Sequence, residues 1–205
     1  MDIIRYLHIA IGTIALLSGD ISIIVVKGSR LHRQAGKWYV YSMFFVVASA
    51  VYMSITRQND FLLSIAIFSF YLTWTGKRAV DRNISGDSKR YLFDHFVMLV
   101  ASIGCVYMLY KGFSNIILLV FGGVLFFNIF VDLKEQLKKK TVQSTQLMTG
   151  HIGRMCGAYI ATVTAFLVNT VTTTFPLVLW LGPTLVGGTF IAYSIMKWKK
   201  NMSDI

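Results

Sequence analysis

The sequence has little charge, and most of that charge is of one sign. Of its 205 residues, 14% are charged, with 20 Lys/Arg against 9 Asp/Glu, whereas 55% are hydrophobic. A soluble globular protein with this balance would expose a large apolar surface to water. The composition therefore argues against a soluble protein and favours one embedded in a lipid bilayer.

Cysteines and recognisable catalytic motifs are also scarce. The two cysteines, Cys105 and Cys156, fall in apolar segments, and no CxxC spacing is present. Free buried thiols are the expected state of both residues. The sequence contains no P-loop, GxGxxG, HExxH or G-x-S-x-G pattern. It therefore indicates no enzyme class, and the existence of an enzymatic activity stays open.

Long apolar segments, in contrast, follow one another along the whole chain. About 20 apolar residues in a helix cross the hydrocarbon layer of a bilayer. Segments of about this length cover residues 3–26, 38–55, 61–76, 91–110, 115–131, 147–170 and 175–198. The polar connections between them are short. The sequence thus predicts an all-α, polytopic transmembrane bundle of about seven helices, with residues 1–205 forming a single integral membrane domain.

The basic residues alternate between the connections. Four Lys/Arg lie within residues 27–37, five within 77–90, four within 134–140 and three within 197–200, whereas the other connections hold almost none. Cytoplasmic loops accumulate Lys/Arg, so we expect the N-terminus outside and the C-terminus in the cytoplasm. The basic charge then reflects topology and attraction to anionic lipid headgroups at the inner face, not binding of nucleic acid.

Ionisable residues collect at the predicted cytoplasmic ends of the spans. His32 falls in the first inner loop, His95 and His151 lie about one turn into spans four and six, Asp94 adjoins His95, and Asp132 ends span five. Embedded ionisable groups are costly and mark candidate functional sites. Three imidazoles and a carboxylate suit zinc or iron with an open coordination position. One hypothesis is therefore a divalent metal site formed by these residues.

A haem is the alternative cofactor. His95 and His151 lie at matched depth on separate helices, as the axial ligands of a b-type haem would. Arg33 and Arg154 lie nearby in the predicted topology and have the charge needed to neutralise the haem propionates. The leading interpretation is thus a membrane protein that binds a metal or haem and is redox-active. Two alternatives stay open: a structural or assembly protein with non-liganding histidines, and a small proton-coupled transporter.

Two further polar residues lie away from this cluster. His8 is in the outer half of span one and shares a face with small residues, so we expect it to point into the bundle. Asp20 is the deepest carboxylate, and Arg154 or a histidine is its expected partner. Span six carries a small-residue surface that includes Gly153 and Gly157, which predicts a central position for it.

Three segments carry a resemblance to a known family. The region from His8 through "LHRQAGKWYV", together with "YLTWTGKRA" and "HIGRMCGAYIATVTAFLVN", resembles a family of bacterial predicted membrane proteins of unknown function, a DUF family in which LHRxxGK is the most recognisable element. A His-Arg-x-x-Met element of that family is similar to "HIGRM", where the arginine is displaced. The resemblance implies a bacterial cytoplasmic (inner) membrane protein and singles out the four histidines and their adjacent arginines, without implying an activity.

A looser analogy exists with the cytochromes b561, in which four helix-borne histidines bind two haems across a membrane. This chain also has four histidines, but three of them are predicted at one face. That distribution disagrees with two bis-histidine pairs. The expected partners are therefore the lipid bilayer with its anionic inner headgroups and, left open, a second membrane protein or another copy of the chain.

Overall fold

The computed structural model describes residues 2–85, 91–137 and 143–203, which form seven α helices and no strand. The helices are α1 (Asp2–Ile24), α2 (Arg30–Thr56), α3 (Asp60–Ser85), α4 (Leu92–Gly112), α5 (Ile116–Leu137), α6 (Ser144–Thr170) and α7 (Pro176–Ser203). The predicted all-α architecture is confirmed, and each of the seven predicted segments corresponds to one helix.

The helix ends differ most from the predicted ones at the start of α2 and at the end of α3. α2 begins at Arg30, because Ser29 has an extended backbone and its hydroxyl accepts a hydrogen bond from the His32 amide, as a helix N-cap does. His32 therefore lies in the first turn of α2, and its predicted loop position is wrong. α3 continues beyond its apolar segment to Ser85, because Ala79 and Arg82 still face the protein interior.

The outer surface of the bundle is apolar. Six of the seven helices are long and apolar enough to cross a membrane, namely all except α3. Large hydrophobic side chains are exposed along them, and α7 has no buried residue over its candidate span. An apolar exterior of this extent belongs in lipid, where no hydrophobic penalty attaches to it. The chain is a multi-pass membrane protein.

α3 occupies the centre of the bundle. It packs against α2, α4, α5 and α6, whereas α6 packs against α1, α3 and α7. Several small polar residues of α3 are buried, including Ser64, Ser69, Thr73 and Thr75. They face neighbouring helices, where small side chains allow close approach. The central helix is thus the least apolar one, and α6 lies beside it.

Contacts between helix ends define one end of the bundle, which we call the basic end. It contains the ends of α1, α3 and α5 and the beginnings of α2, α4 and α6. Its helix ends are joined by hydrogen bonds, for example from Ser144 to Asn83 (2.6 Å) and from Gln146 to Glu135 (3.0 Å). The lysine run at residues 138–140 lies outside the described residues. The prediction that this end faces the cytoplasm stays a prediction.

Candidate functional site at the basic end

A buried ion pair joins α5 and α6. Asp132 is 1% exposed, and its Oδ1 accepts a hydrogen bond from Arg154 Nη2 at 2.9 Å. The hydroxyl of Tyr71, on α3, donates to the other carboxylate oxygen. Arg154 also donates through Nε to the side-chain oxygen of Asn128 at 3.4 Å. Both charges are removed from solvent, so each depends on its protein partners.

A second buried carboxylate joins α3 and α4. Asp94 accepts hydrogen bonds from the Trp74 indole at 2.8 Å and from Arg78 Nε at 3.1 and 3.2 Å. The backbone amide of Tyr91 also donates to it at 2.9 Å, which caps the first turn of α4. The Arg78 guanidinium lies 4.7 Å from the centre of the Tyr91 ring, within the range of a cation–π contact. This carboxylate is held in place by donors on three sides.

A small polar cavity lies between these two carboxylates. Its volume is about 10 Å³, the space that a single water molecule needs. Glu135 lies 3.7 Å from Arg82, which also borders the cavity. Three arginines border the cavity, and each has a carboxylate as its neighbour: Arg78 has Asp94, Arg82 has Glu135 and Arg154 has Asp132. The arginines stay charged at any physiological pH. The lining residues are Tyr71, Thr75, Arg78, Arg82, Asp94, Met98, Asp132 and Arg154.

His32, on α2, and His151, on α6, lie near each other and outside the lining of this cavity. The Nδ1 of His32 donates to the Ser22 carbonyl and that of His151 to the Gly76 carbonyl, each at 3.0 Å. The two rings are near enough to interact electrostatically. Since Nδ1 carries the proton in both, Nε2 is the acceptor of each neutral ring. Beside them, Lys27 donates to the last carbonyls of α1, and partial burial lowers the pKa of Lys27.

The structure does not bring the predicted metal or haem ligands together. His95 is exposed on α4, which does not pack against α6, the helix of His151. Arg33 is exposed and donates to the Gly28 carbonyl. Within the described ranges, no group of three or more His, Cys, Asp or Glu side chains lies together as metal ligands do. The arrangement of these residues therefore fits neither the predicted metal site nor a haem held by His95 and His151.

The other two predicted polar residues have partners on neighbouring helices. His8 Nδ1 is 2.8 Å from the Ser49 hydroxyl, so its ring faces α2. Asp20 accepts a hydrogen bond from the Tyr159 hydroxyl at 2.5 Å. The expected partner of Asp20, Arg154 or a histidine, is thus replaced by a tyrosine. This follows from the packing of α1 against α6, because Arg154 is directed towards α5.

Sequence reasoning missed the contribution of α3 to the site. Tyr71, Thr75, Arg78 and Arg82 recur at intervals of four, three and four residues and line one face of the helix. The sequence signal for this contribution is a stripe of polar residues with helical spacing that continues from the apolar segment. The apolar run ends at residue 76, so hydropathy assigns the basic residues beyond it to the connection between two spans and not to the helix.

Comparison with known proteins finds a similarity to a family of membrane proteins. A family described as "Predicted membrane protein (DUF2306)" matches residues 5–82, which cover most of α1, all of α2 and most of α3. The match confirms the resemblance seen in "LHRQAGKWYV" and "YLTWTGKRA", whereas "HIGRM" lies outside the matched residues. The family has no known function. No curated protein and no solved structure matches the chain.

Proposed function

We propose that the chain is a small proton-coupled membrane transporter in which Asp132 carries the proton. The observation that supports the proposal most is the buried group of Asp132, Arg154 and Tyr71 beside a cavity of water size. Embedded carboxylates that face a bundle interior are characteristic of proton pathways. All of these groups lie at one end of the bundle, where protons enter or leave without crossing the whole membrane.

Protonation of Asp132 would switch the network between two arrangements. The charged carboxylate holds Arg154 by a charge-assisted hydrogen bond. A neutral carboxylic acid would attract the guanidinium far less, and Arg154 would be left as an uncompensated buried charge. The arginine would then turn towards another acceptor, such as Asn128. Because Asp132, Arg154 and Tyr71 are on three helices, this exchange alters contacts between α3, α5 and α6.

The small cavity provides a route for the proton. A water molecule in it would lie beside both Asp132 and Asp94, since both carboxylates line its wall. Water and carboxylates exchange protons readily and serve as relays in membrane proteins. The three arginines around the cavity stay charged, so the carboxylates and Tyr71 are the groups that change protonation.

The test uses the purified chain in proteoliposomes with a pH-sensitive dye inside. Amino acids, sugars, organic acids and inorganic cations are added outside, each class separately. We expect at least one class to change the internal pH in the wild type. Asp132→Asn, which keeps the shape of the side chain and removes its titration, should abolish that response. A response that persists in Asp132→Asn would contradict the proposal. So would a wild-type protein whose internal pH changes with none of the four solute classes.

The matched control is Asp81→Asn. Asp81 is on α3 at the same end of the bundle, but its side chain is 37% exposed and pairs with Lys77 at the surface. It also lies 3.7 Å from Arg78, which keeps the closer carboxylate of Asp94 as its partner when Asp81 is neutralised. We expect this variant to respond like the wild type. Equal elution profiles of the variants in mild detergent show that any lost response does not arise from misfolding.

A structural role for the ion pairs is the second candidate, and Asp94 favours it. Four hydrogen bonds from Trp74, Arg78 and Tyr91 surround this carboxylate. Such a site locks α4 against α3 without any need to change protonation. In a structural or assembly protein, Asp94→Asn and Asp132→Asn would both lower stability, and neither would affect a flux.

Binding of a metal or haem has less support from the described donor set. His32 and His151 provide two imidazoles with fixed tautomers, as metal ligands have, but no third ligand joins them within the described residues. Absorbance and elemental analysis of the purified protein test this hypothesis. A Soret band or stoichiometric metal that is lost in His151→Ala would favour it over transport.

The proposal includes the membrane in which the protein lies and its orientation there. The resemblance to bacterial membrane proteins and the basic end favour a bacterial cytoplasmic membrane, with the basic end on the cytoplasmic side. Anionic headgroups would then contact the exposed basic residues of that end, such as Arg33 and Lys37. The apolar surface also suits a protein partner in the membrane, either another copy of the chain or a second membrane protein.

A further inference from the structure

An apolar cleft lies between α3, α5, α6 and α7, on the far side of Asn128 from the small polar cavity. Its volume is about 160 Å³. α5 and α7 touch only sparsely, so the cleft lies where the two helices diverge. The lining residues are Phe68, Leu72, Val120, Phe121, Val124, Asn128, Gly153, Gly157, Ile160, Ala161, Thr184, Gly188 and Ile191.

Two glycines of the cleft are not explained by helix packing. A Cβ atom at Gly153 or Gly188 would meet nothing within 4 Å. In contrast, Gly187 admits the side chain of Ile160, and a Cβ atom at Gly157 would lie 3.2 Å from Leu72. Glycine in a helix interior costs about 1 kcal/mol relative to alanine. Gly153, which is half-buried, and Gly188, which is exposed, thus leave space along the cleft that no side chain in the described residues fills.

The size and lining of the cleft indicate an apolar occupant. A cavity of about 150 Å³ lined by aliphatic and aromatic side chains stays free of water and binds a ring such as benzene. The cleft has a similar volume and a mostly hydrophobic lining, but it is open to the outer surface, where Val124 and Gly188 are exposed. Because the outer surface of α7 faces lipid, molecules dissolved in the bilayer reach the cleft without crossing water.

One end of the cleft is polar. The Asn128 amide nitrogen donates to the Val124 carbonyl at 2.9 Å, and its oxygen accepts from Arg154. An amide nitrogen has two protons, so a second proton of Asn128 suits an acceptor on a ligand. A bound molecule with an oxygen at that end would therefore gain a hydrogen bond in an apolar environment, where such a bond is strong.

We infer that the cleft binds a small lipophilic molecule from the bilayer, with an apolar body of about one ring and an acceptor oxygen directed at Asn128. Asn128 also contacts Arg154, so an occupied cleft would adjoin the ionic network. The inference rests on the cleft, its two unfilled glycines and its polar end, and it stands whether or not Asp132 carries a proton.

The experiment uses a photoreactive phenyl diazirine with a hydroxymethyl group, added to the full chain in phospholipid vesicles. Labelled residues are identified by mass spectrometry over a range of probe concentrations. We expect labelling at cleft residues such as Ile160 and Ile191 to saturate as the probe concentration rises. Labelling of the lipid-facing surface should increase without saturation. Gly153→Leu and, separately, Gly188→Leu fill the space, and each should reduce the saturable labelling at least tenfold.

Two matched controls make the result specific. Gly123→Leu adds the same side chain on α5 where a Cβ atom also meets nothing within 4 Å, but outside the cleft lining, and it should leave labelling unchanged. Asn128→Leu should weaken binding of the hydroxymethyl probe about fivefold, as expected for one lost hydrogen bond, and should not weaken binding of the same probe with a methyl group. If one filling variant fails to fold, the other still provides the comparison.

Two outcomes would overturn the inference. One is labelling that rises in proportion to probe concentration at every residue, which would mean that bulk lipid fills the cleft. The other is equal saturable labelling in Gly123→Leu and in the folded filling variants, which would place the probe elsewhere. Unchanged binding of the hydroxymethyl probe in Asn128→Leu would contradict the assigned orientation of the ligand.

Discussion

Removal of one partner from the ion pair between Asp132 and Arg154 should destabilise the bundle strongly. The side chains of Asp132 and Arg154 are 1% and 9% exposed, so solvent cannot replace a lost partner. Breaking a buried pair in this way costs about 3–5 kcal/mol, because the remaining buried charge loses its counter-charge on the neighbouring helix. We therefore expect Arg154→Met to lower the free energy of unfolding by about this amount, even though Tyr71 still donates to Asp132.

The double variant should recover much of that loss. In Asp132→Leu/Arg154→Met neither charge is left in the interior, and replacement of a buried pair by apolar residues is often neutral. The two single changes and the double change form a thermodynamic cycle that isolates the coupling between the side chains. Unfolding of each variant in mild detergent, followed by its thermal transition or by steric trapping, measures the cycle.

A surface pair on α3 provides the comparison. Lys77 and Asp81 are four residues apart, and their side chains are 39% and 37% exposed. Helical pairs of this kind contribute about 0.3–0.5 kcal/mol, so Lys77→Met should have little effect. If Arg154→Met were as mild as Lys77→Met, or if the double variant were as unstable as the two single changes combined, the reasoning about the buried pair would be refuted.

Three other predictions concern packing, hydrogen bonding and topology. Gly112→Ala should cost about 1–3 kcal/mol, because its Cβ would lie 2.8 Å from the backbone of α5, whereas Gly123→Ala meets open space and should be nearly neutral; thermal transitions compare the two. Trp74→Phe should cost about 1.5–3 kcal/mol, since it removes a donor to a buried carboxylate, and an undiminished transition temperature would disprove that. In a variant without the two native cysteines, a membrane-impermeant maleimide should label Ser114→Cys and not Val26→Cys in intact cells, and the reverse pattern would invert the predicted orientation.

The presence of seven helices could be read from the sequence because each apolar segment must satisfy its backbone within the bilayer. The residues at which the helices begin and end were harder to predict from the sequence. The run beginning at Arg30 looks like a charged loop, but Ser29 caps a helix there and the basic side chains reach the interface from its first turns. Hydropathy alone does not distinguish an exposed loop from a helix end whose charges are directed outwards.

The site could be predicted only in part. The predicted topology puts Asp94 and Asp132 at the same end of the bundle, and both are buried at the basic end. Their partners depend on helix packing, which spacing along one chain does not reveal. Three histidines share the basic end, yet His95 is exposed on α4 and apart from His151 on α6. Equal depth in a membrane does not imply proximity in its plane.

The central claim is that the Asp132 carboxylate carries a proton during solute movement. The most direct measurement is the change of internal pH in proteoliposomes upon addition of a solute, compared between wild type, Asp132→Asn and Asp81→Asn. We expect a response in the wild type and in Asp81→Asn, and no response in Asp132→Asn. An equal response in all three proteins would contradict it.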